Sequence, residues 1–200
     1  MPLQDYRCQS RLRVRWAEID MQRIVFNAHY LTYFDTAMTD YWRALALPYD
    51  DAMQQLGGEM YLKKATLEYH ASAREGDMLT IGMRCLRVGN TSALFDGGIF
   101  RGEQLLVSGE LIYVFADPAN QRPTPVPALL RELFTEFEAG ESATQLQLGA
   151  WQQLGERATR VRQAVFVEEQ GIAPDIELDG QDATALHALV ANRLDQAVAT

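Results

Sequence analysis

The 200-residue sequence has only two cysteines, Cys8 and Cys85. They are far apart and match no metal or redox spacing, which argues against a disulfide framework or a structural zinc site and sets the expected metal complement at none. Basic charge is also short: 18 Lys and Arg against 27 Asp and Glu give 18 − 27 = −9. A chain of that sign gains nothing from bulk attraction to phosphate backbones or anionic lipid, so neither nucleic acid nor membrane is expected as a partner. Any anionic ligand would need a local basic cluster. Long apolar runs are missing too. The N-terminal MPLQDYRCQSRLRV holds no apolar core of the kind a signal peptide needs, and no later run approaches the length of a membrane span. These absences predict a soluble, reduced, cytoplasmic protein. Hydrophobic residues nevertheless make up 48% of the chain, enough for a buried core and too many for a disordered one.

Proline is sparse except at 117–127, where DPANQRPTPVP holds four of the seven prolines and excludes both helix and central strand. Beyond it, Ala128 to Glu138 reads as a short helix with Leu129, Leu130, Leu133, Phe134 and Phe137 on one stripe. The small, polar AGESATQ that follows reads as a linker. This places a boundary near 140 and predicts two units, 1–139 and 140–200. In the first, Arg11 to Trp16 alternates charged and apolar groups as a half-buried strand does. From Asn27, read as an N-cap, Tyr30, Tyr33, Phe34, Ala37, Met38, Tyr41 and Leu45 recur at helical spacing until Pro48 stops the pattern. Strands are expected at Met60–Tyr69, Leu79–Leu86, Thr91–Phe100 and Leu105–Ala116, with Gly89-Asn90 and Arg101-Gly102-Glu103 as hairpin turns. One long helix followed by an antiparallel meander implies an α+β fold in which a curved sheet wraps that helix.

The chemistry-bearing segment joins the first strand to the helix: Ala17-Glu18-Ile19-Asp20-Met21-Gln22-Arg23-Ile24-Val25-Phe26-Asn27. It sets carboxylates beside a helix start, whose free N–H groups and partial positive charge stabilise an anion. The same donors would stabilise a developing oxyanion. A carboxylate that attacks a carbonyl carbon or takes a proton from water, with a backbone N–H on the oxygen, suffices to hydrolyse an activated ester. By residue type alone, Asp20 and Glu18 could equally be ordinary loop acids. His29 in the first helical turn is a candidate general acid or a structural side chain, and Asp35 a solvated or capping acid. Arg87, Asn90 and Ser92 surround a hairpin turn that could meet phosphates. The stripe of Tyr30, Tyr33, Phe34 and Tyr41 belongs to the core, and its first turn, with Tyr30, could also touch a substrate.

The run Arg15-Trp16-Ala17-Glu18-Ile19-Asp20 … Ile24-Val25-Phe26-Asn27-Ala28-His29-Tyr30-Leu31-Thr32-Tyr33-Phe34-Asp35 resembles the opening signature of the 4-hydroxybenzoyl-CoA thioesterase family of hotdog-fold proteins. A second stretch, Tyr69-His70-Ala71-Ser72-Ala73-Arg74-Glu75-Gly76-Asp77-Met78-Leu79, is similar to that family's Tyr-x-x-Pro-Ala-x-x-x-Asp-x-Leu connection. The resemblance covers roughly residues 8–138. It implies a hotdog fold and an acyl-CoA thioesterase with Asp20 as the catalytic carboxylate and the Asn27 backbone N–H as donor to the thioester carbonyl. It implies CoA as part of the substrate with no further cofactor, and a homodimer or homotetramer with the site at a subunit interface. Arg23, His29, Tyr30, Arg87, Asn90 and Ser92 are the candidate substrate-binding residues. Gln22-Arg23 stands where the family usually has glycines, and Ser72 where it has proline. Arg23 would set a cation beside Asp20.

Residues 145–200 are of a different kind. Arg157-x-x-Arg160-x-Arg162-x-x-Val165-Phe166-Val167-Glu168-Glu169-Gln170-Gly171-Ile172, then Glu177-Leu178-Asp179 and Ala185-Leu186-His187-Ala188-Leu189-Val190, resemble the start of a GNAT-type N-acetyltransferase. The resemblance implies a partial GNAT-like α/β segment and a thioesterase–acetyltransferase fusion. The Gln/Arg-x-x-Gly-x-Gly/Ala loop that cradles acetyl-CoA in that family does not occur here, so no acetyltransferase activity is assigned. Two other readings stay open: a non-hydrolytic module that binds acyl-CoA or an acyl carrier for a fused transferase, and a dimerising scaffold.

Overall fold

The structure, a computed structural model, describes residues 2–177 and 180–200; Leu178 and Asp179 of the second resemblance lie outside them. The chain divides into two compact units, Met1–Ala44 with Pro48–Glu141, and Ser142–Thr200 with Leu45–Leu47.

In the first unit five strands, β1 (Cys8–Arg13), β2 (Glu59–Tyr69), β3 (Met78–Val88), β4 (Ser92–Arg101) and β5 (Gln104–Ala116), form one sheet in the order β1-β3-β4-β5-β2. Every pairing is antiparallel. Three helices accompany it: α1 (Asn27–Ala44), α2 (Tyr49–Leu56) and α3 (Ala128–Glu138). Helix α1 buries Tyr30, Tyr33, Phe34, Ala37, Met38, Tyr41 and Trp42, the stripe its sequence spacing dictates. Tyr41 meets Phe95 of β4 and Phe137 of α3 edge-on, each pair of rings 5.4 Å apart. Each such contact adds about 0.5–1.5 kcal/mol beyond the area it buries. Phe34 is wholly buried, and a Cβ at Gly97 would stand 2.5 Å from its ring and one at Gly109 2.9 Å. Those glycines let the helix approach the sheet so closely.

The first strand sits three residues earlier than its alternation suggests. It ends at Arg13; Val14 N–H donates to Asp77 O, and Trp16–Glu18 form a 3-10 turn that leaves Trp16 largely exposed. Asn27 is the first helical residue rather than the cap before it. Helix α2, absent from the pattern reading, has Pro48 before it, Asp50 and Asp51 in its first turn, and Gly57 behind it with φ +70°. Those are the usual start and stop signals, compressed into eight residues.

The second unit runs β6 (Gln145–Ala150), α4 (Trp151–Arg162), a π-helical turn (Gln163–Glu169), α5 (Pro174–Glu177), a 3-10 turn (Asp182–Thr184), β7 (Leu186–Ala191) and β8 (Ala197–Ala199). Its sheet has the order β6-β7-β8, antiparallel throughout. Leu154 and Ala158 of α4 pack on Leu189 of β7, flanked by Trp151 and Ala197. Arg162, largely buried, pairs with Glu177 and, at 2.6 Å, with Asp182, tying α4 to the segments that follow it. Among the described residues no helix is long and apolar enough to cross a membrane.

Candidate active site

Between the 3-10 turn and α1 the chain closes a small hairpin. Ile19 and Val25 bridge, Asp20 N–H donates to Ile24 O, and Arg23 N–H donates to Asp20 O at 3.0 Å. Closing so tight a loop needs one residue in the left-handed region, and Arg23 occupies it with φ +62°. Asp20 fixes the turn from within, its Oδ1 accepting the Gln22 N–H at 2.8 Å. Its other carboxylate oxygen has no hydrogen-bond partner among the described residues.

Glu18 behaves quite differently. It is buried, and its two oxygens accept the Arg15 N–H at 2.7 Å, the Arg15 guanidinium at 2.6 and 2.8 Å, and the Tyr33 hydroxyl at 2.8 Å. Burial by itself raises its carboxyl, but the Arg15 and Tyr33 hydrogen bonds outweigh it and hold the group below the ordinary carboxylate range. Burial, with Glu18 as hydrogen-bond acceptor, pushes the Tyr33 phenol up. Of the two acids before the helix, one is locked into the scaffold and the other is half-buried with an oxygen to spare.

Helix α1 presents its first amide, Asn27 N–H, at its start, one of the four a helix leaves without an intrahelical acceptor. The connection after β2 folds over this start. Val25 N–H donates to Ala73 O, Ala73 N–H donates to the Tyr30 hydroxyl, and the Tyr69 hydroxyl donates to Asn27 O. The result is a cavity of about 370 Å³ lined by Asp20, Gln22, Ile24, Val25, Asn27, Tyr30, Tyr69, His70, Ala71 and Ser72. Asp77 anchors the far side of that connection. Burial raises its carboxyl, but the Arg74 N–H and the Arg101 guanidinium together hold it below its usual value.

Of the candidate residues, Asp20, Asn27 and Tyr30 share this cavity. Arg23 and His29 are not in its lining: Arg23 is exposed, and His29 packs edge-on against Phe26. Arg87, Asn90 and Ser92 lie at the β3–β4 turn, also outside the lining. Arg131 of α3 braces that turn by donating to the Val88 and Gly89 carbonyls, and Val126 N–H donates to Asn90 O. Within the single chain these three are not brought to Asp20. Sequence reading did not single out Gln22, Ile24, Val25, Tyr69, His70, Ala71 or Ser72 as site residues. Four of them lie in the second resembling stretch, so the available signal was its position: the exit of an edge strand, directed at the start of α1.

Residues 22–108 match the model of the thioesterase superfamily. The chain is similar to the acyl-CoA thioester hydrolase YbgC of Escherichia coli O6:H1, 28% identical over 131 residues that cover 64% of this chain and 92% of the relative. Among solved structures it is similar to a 1,4-dihydroxy-2-naphthoyl-CoA thioesterase from Synechocystis, with TM-score 0.59 and 17% identity over 65% of this chain and 96% of that one. A thioesterase from Thermus thermophilus, complexed with coenzyme A and zinc, gives TM-score 0.60 and 21% identity over 68% and 96%. At these identities the structural likenesses establish the fold of the first unit, the hotdog fold.

Proposed function

We propose that the hotdog unit, whose residues 22–108 match the thioesterase superfamily, is a thioester hydrolase that cleaves acyl-CoA to free acid and CoA. The observation that carries this reading is one cavity holding a carboxylate with a spare oxygen, Asp20, beside the first amide of a helix, Asn27. Asp20 supplies the carboxylate, as nucleophile on the thioester carbon or as base to a water, and Asn27 N–H holds the carbonyl oxygen as it gains charge. The similarity to an acyl-CoA thioester hydrolase over 92% of that relative's length supports the substrate class. CoA enters as part of the substrate, and no other cofactor is required.

The site is shared between two copies of the chain. Strand β2 is an edge strand exposed on both faces, and Leu62 and Tyr69, both on the side of the sheet that faces α1, are 40% and 51% exposed. Eleven residues of unpaired edge are normally paired, covered or blunted, and a second copy laid antiparallel along β2 would cover these side chains. In such a dimer Arg23, Arg87, Asn90 and Ser92 of one chain serve as candidate phosphate contacts for CoA on the other, and His29 as a first-turn polar neighbour.

For the second unit, the antiparallel β6-β7-β8 order with α4 and α5 between β6 and β7 supports kinship with the opening of the GNAT fold. This reading concerns the fold alone, and no activity is assigned to the unit.

Release of free CoA from a panel of acyl-CoAs, compared between the native chain and Asp20→Asn, tests the hydrolase. The expected loss in kcat is about 10²–10⁴-fold with an unchanged melting curve. Equal rates in the two proteins overturn the assignment.

A further inference from the structure

We infer that the face of the hotdog sheet turned away from α1 carries a second ligand site, which takes a small monocarboxylate with an apolar body. This goes beyond the hydrolase reading and does not depend on it. The site is a cavity of about 290 Å³ lined by Tyr61 and Lys63 of β2, Val114 and Ala116 of β5, and Gln121 and Pro123 of the loop that follows. Tyr61 pairs with Val114 across the sheet, while their neighbours Leu62 and Tyr113 face α1. The sheet itself therefore separates this cavity from the one that holds Asp20. Along β2 the two are also far apart, since the rise from Tyr61 to Tyr69 is about 26 Å.

Backbone pairing builds its shape. Ala116 pairs with Glu59 on one side and bridges to Pro123 on the other. Tyr61 and Pro123 are thus walls two strand spacings apart, about 10 Å, over a floor of Val114 and Ala116, both buried. That leaves room for one ring or one alkyl chain. The loop is tied down from within. Gln121 N–H donates to Asp117 O at 2.7 Å and Asp117 N–H to Arg122 O at 3.1 Å. The Asp117 carboxylate accepts the Ala119 N–H at 2.8 Å and the Asn120 amide at 2.6 Å. These bonds hold Gln121 in the left-handed region, φ +56°, a conformation that persists only where its surroundings fix it.

The polar groups around it suit an anion. Lys63 is the extra residue at the bulge between Leu62 and Lys64, and a bulge re-aims the side chain it carries. Among the described residues its ammonium has no ion pair, and neither the Tyr61 hydroxyl nor the Gln121 amide has a hydrogen-bond partner. The nearby Asp117 carboxylate is occupied by its own loop. One cation and two further donors above an apolar floor complement a carboxylate on an apolar body. In a chain of net charge −9, only such a local cation draws an anion in.

The test is an amide-shift NMR titration of the full chain with benzoate and hexanoate. The expected result is saturable shifts at Tyr61, Val114 and Ala116 with a Kd of about 1 mM or tighter, and binding of benzamide and benzylamine at least about tenfold weaker. Lys63→Gln, at an exposed position outside the candidate active site, should weaken benzoate about tenfold, and Lys63→Arg should keep it. Equal affinity for benzamide, or an unchanged affinity in Lys63→Gln, overturns the carboxylate assignment. Shifts centred on Asp20 and Asn27, or displacement of benzoate by CoA, put the ligand in the candidate active site and overturn a second one. Absence of saturation up to about 20 mM overturns the proposal outright. None of these readouts involves CoA release, so the hydrolase reading stands or falls separately, on Asp20→Asn.

Discussion

Two acids separated by one residue, Glu18 and Asp20, share a sequence neighbourhood but not an environment. Glu18 is buried under four hydrogen bonds, and Tyr33→Phe removes one of them. A hydrogen bond to a charged group contributes about 1.5–3 kcal/mol, so the variant should lose that much stability to urea at neutral pH. Because the folded-state carboxyl lies below its unfolded value, the contribution is present above the ordinary glutamate range of about 4.3 and fades as pH falls through the still lower folded value. The gap between variant and native protein should therefore narrow in acid. A gap that widens there would contradict the arrangement. Arg23 carries a separate cost, since a side chain in the left-handed region is strained by about 1–2 kcal/mol. Arg23→Gly relieves that strain but gives the unfolded chain about 0.4–1 kcal/mol more entropy to lose. The net expectation is a stabilisation of up to about 1.6 kcal/mol, and a lowered melting temperature would count against it.

At the scale of elements, helix α1 and its sheet were legible because their signal is periodic. Seven buried side chains spaced at three and four residues specify one face, and the β4–β5 hairpin carries Gly102 at φ +60° where the backbone needs it. The start of the helix was placed one position off, because an asparagine suits the cap and the first turn nearly equally. Helix α2 escaped notice for a different reason: eight residues hold too little periodicity to stand out. What the pattern could not show is how closely α1 sits on the sheet, since that depends on which glycine lies beneath which ring. Gly97→Ala makes the point measurable. The added methyl would meet the Phe34 ring at 2.5 Å, and overpacking of this kind costs about 1–3 kcal/mol. Alanine at Gly76, where nothing lies within 4 Å but φ is +80°, should cost only the local backbone strain. If Gly97→Ala is no worse than Gly76→Ala in chemical denaturation, the contact beneath Phe34 is not tight.

For the whole molecule, the candidate acid Asp20 could be read from its place between a strand and a helix, whereas the cavity around it could not. Tyr69 and His70 line the same cavity as Asp20 because β2 pairs with β5 on the outside of the sheet, an outcome of register between strands far apart in sequence. The same register leaves β2 as an open edge. Lys63 sits at a break in its pairing with β5 and Lys64 follows at once, devices that discourage indiscriminate strand addition. Past them the edge is undefended: Ala65 and Thr66 are exposed, and Tyr69 at its end also lines the candidate site. A strand blunted at one end and open at the other suits one specific partner better than many, and an identical strand laid antiparallel meets that condition by symmetry. Light scattering should therefore return twice the monomer mass or a multiple of it. Dilution below the dissociation constant should reduce CoA release per chain in step with the fall in mass, because in the proposed dimer the partner's residues help to hold the substrate. A monomer that keeps full turnover would show that one chain suffices, and the exposed tyrosine at the end of β2 would then need another cover.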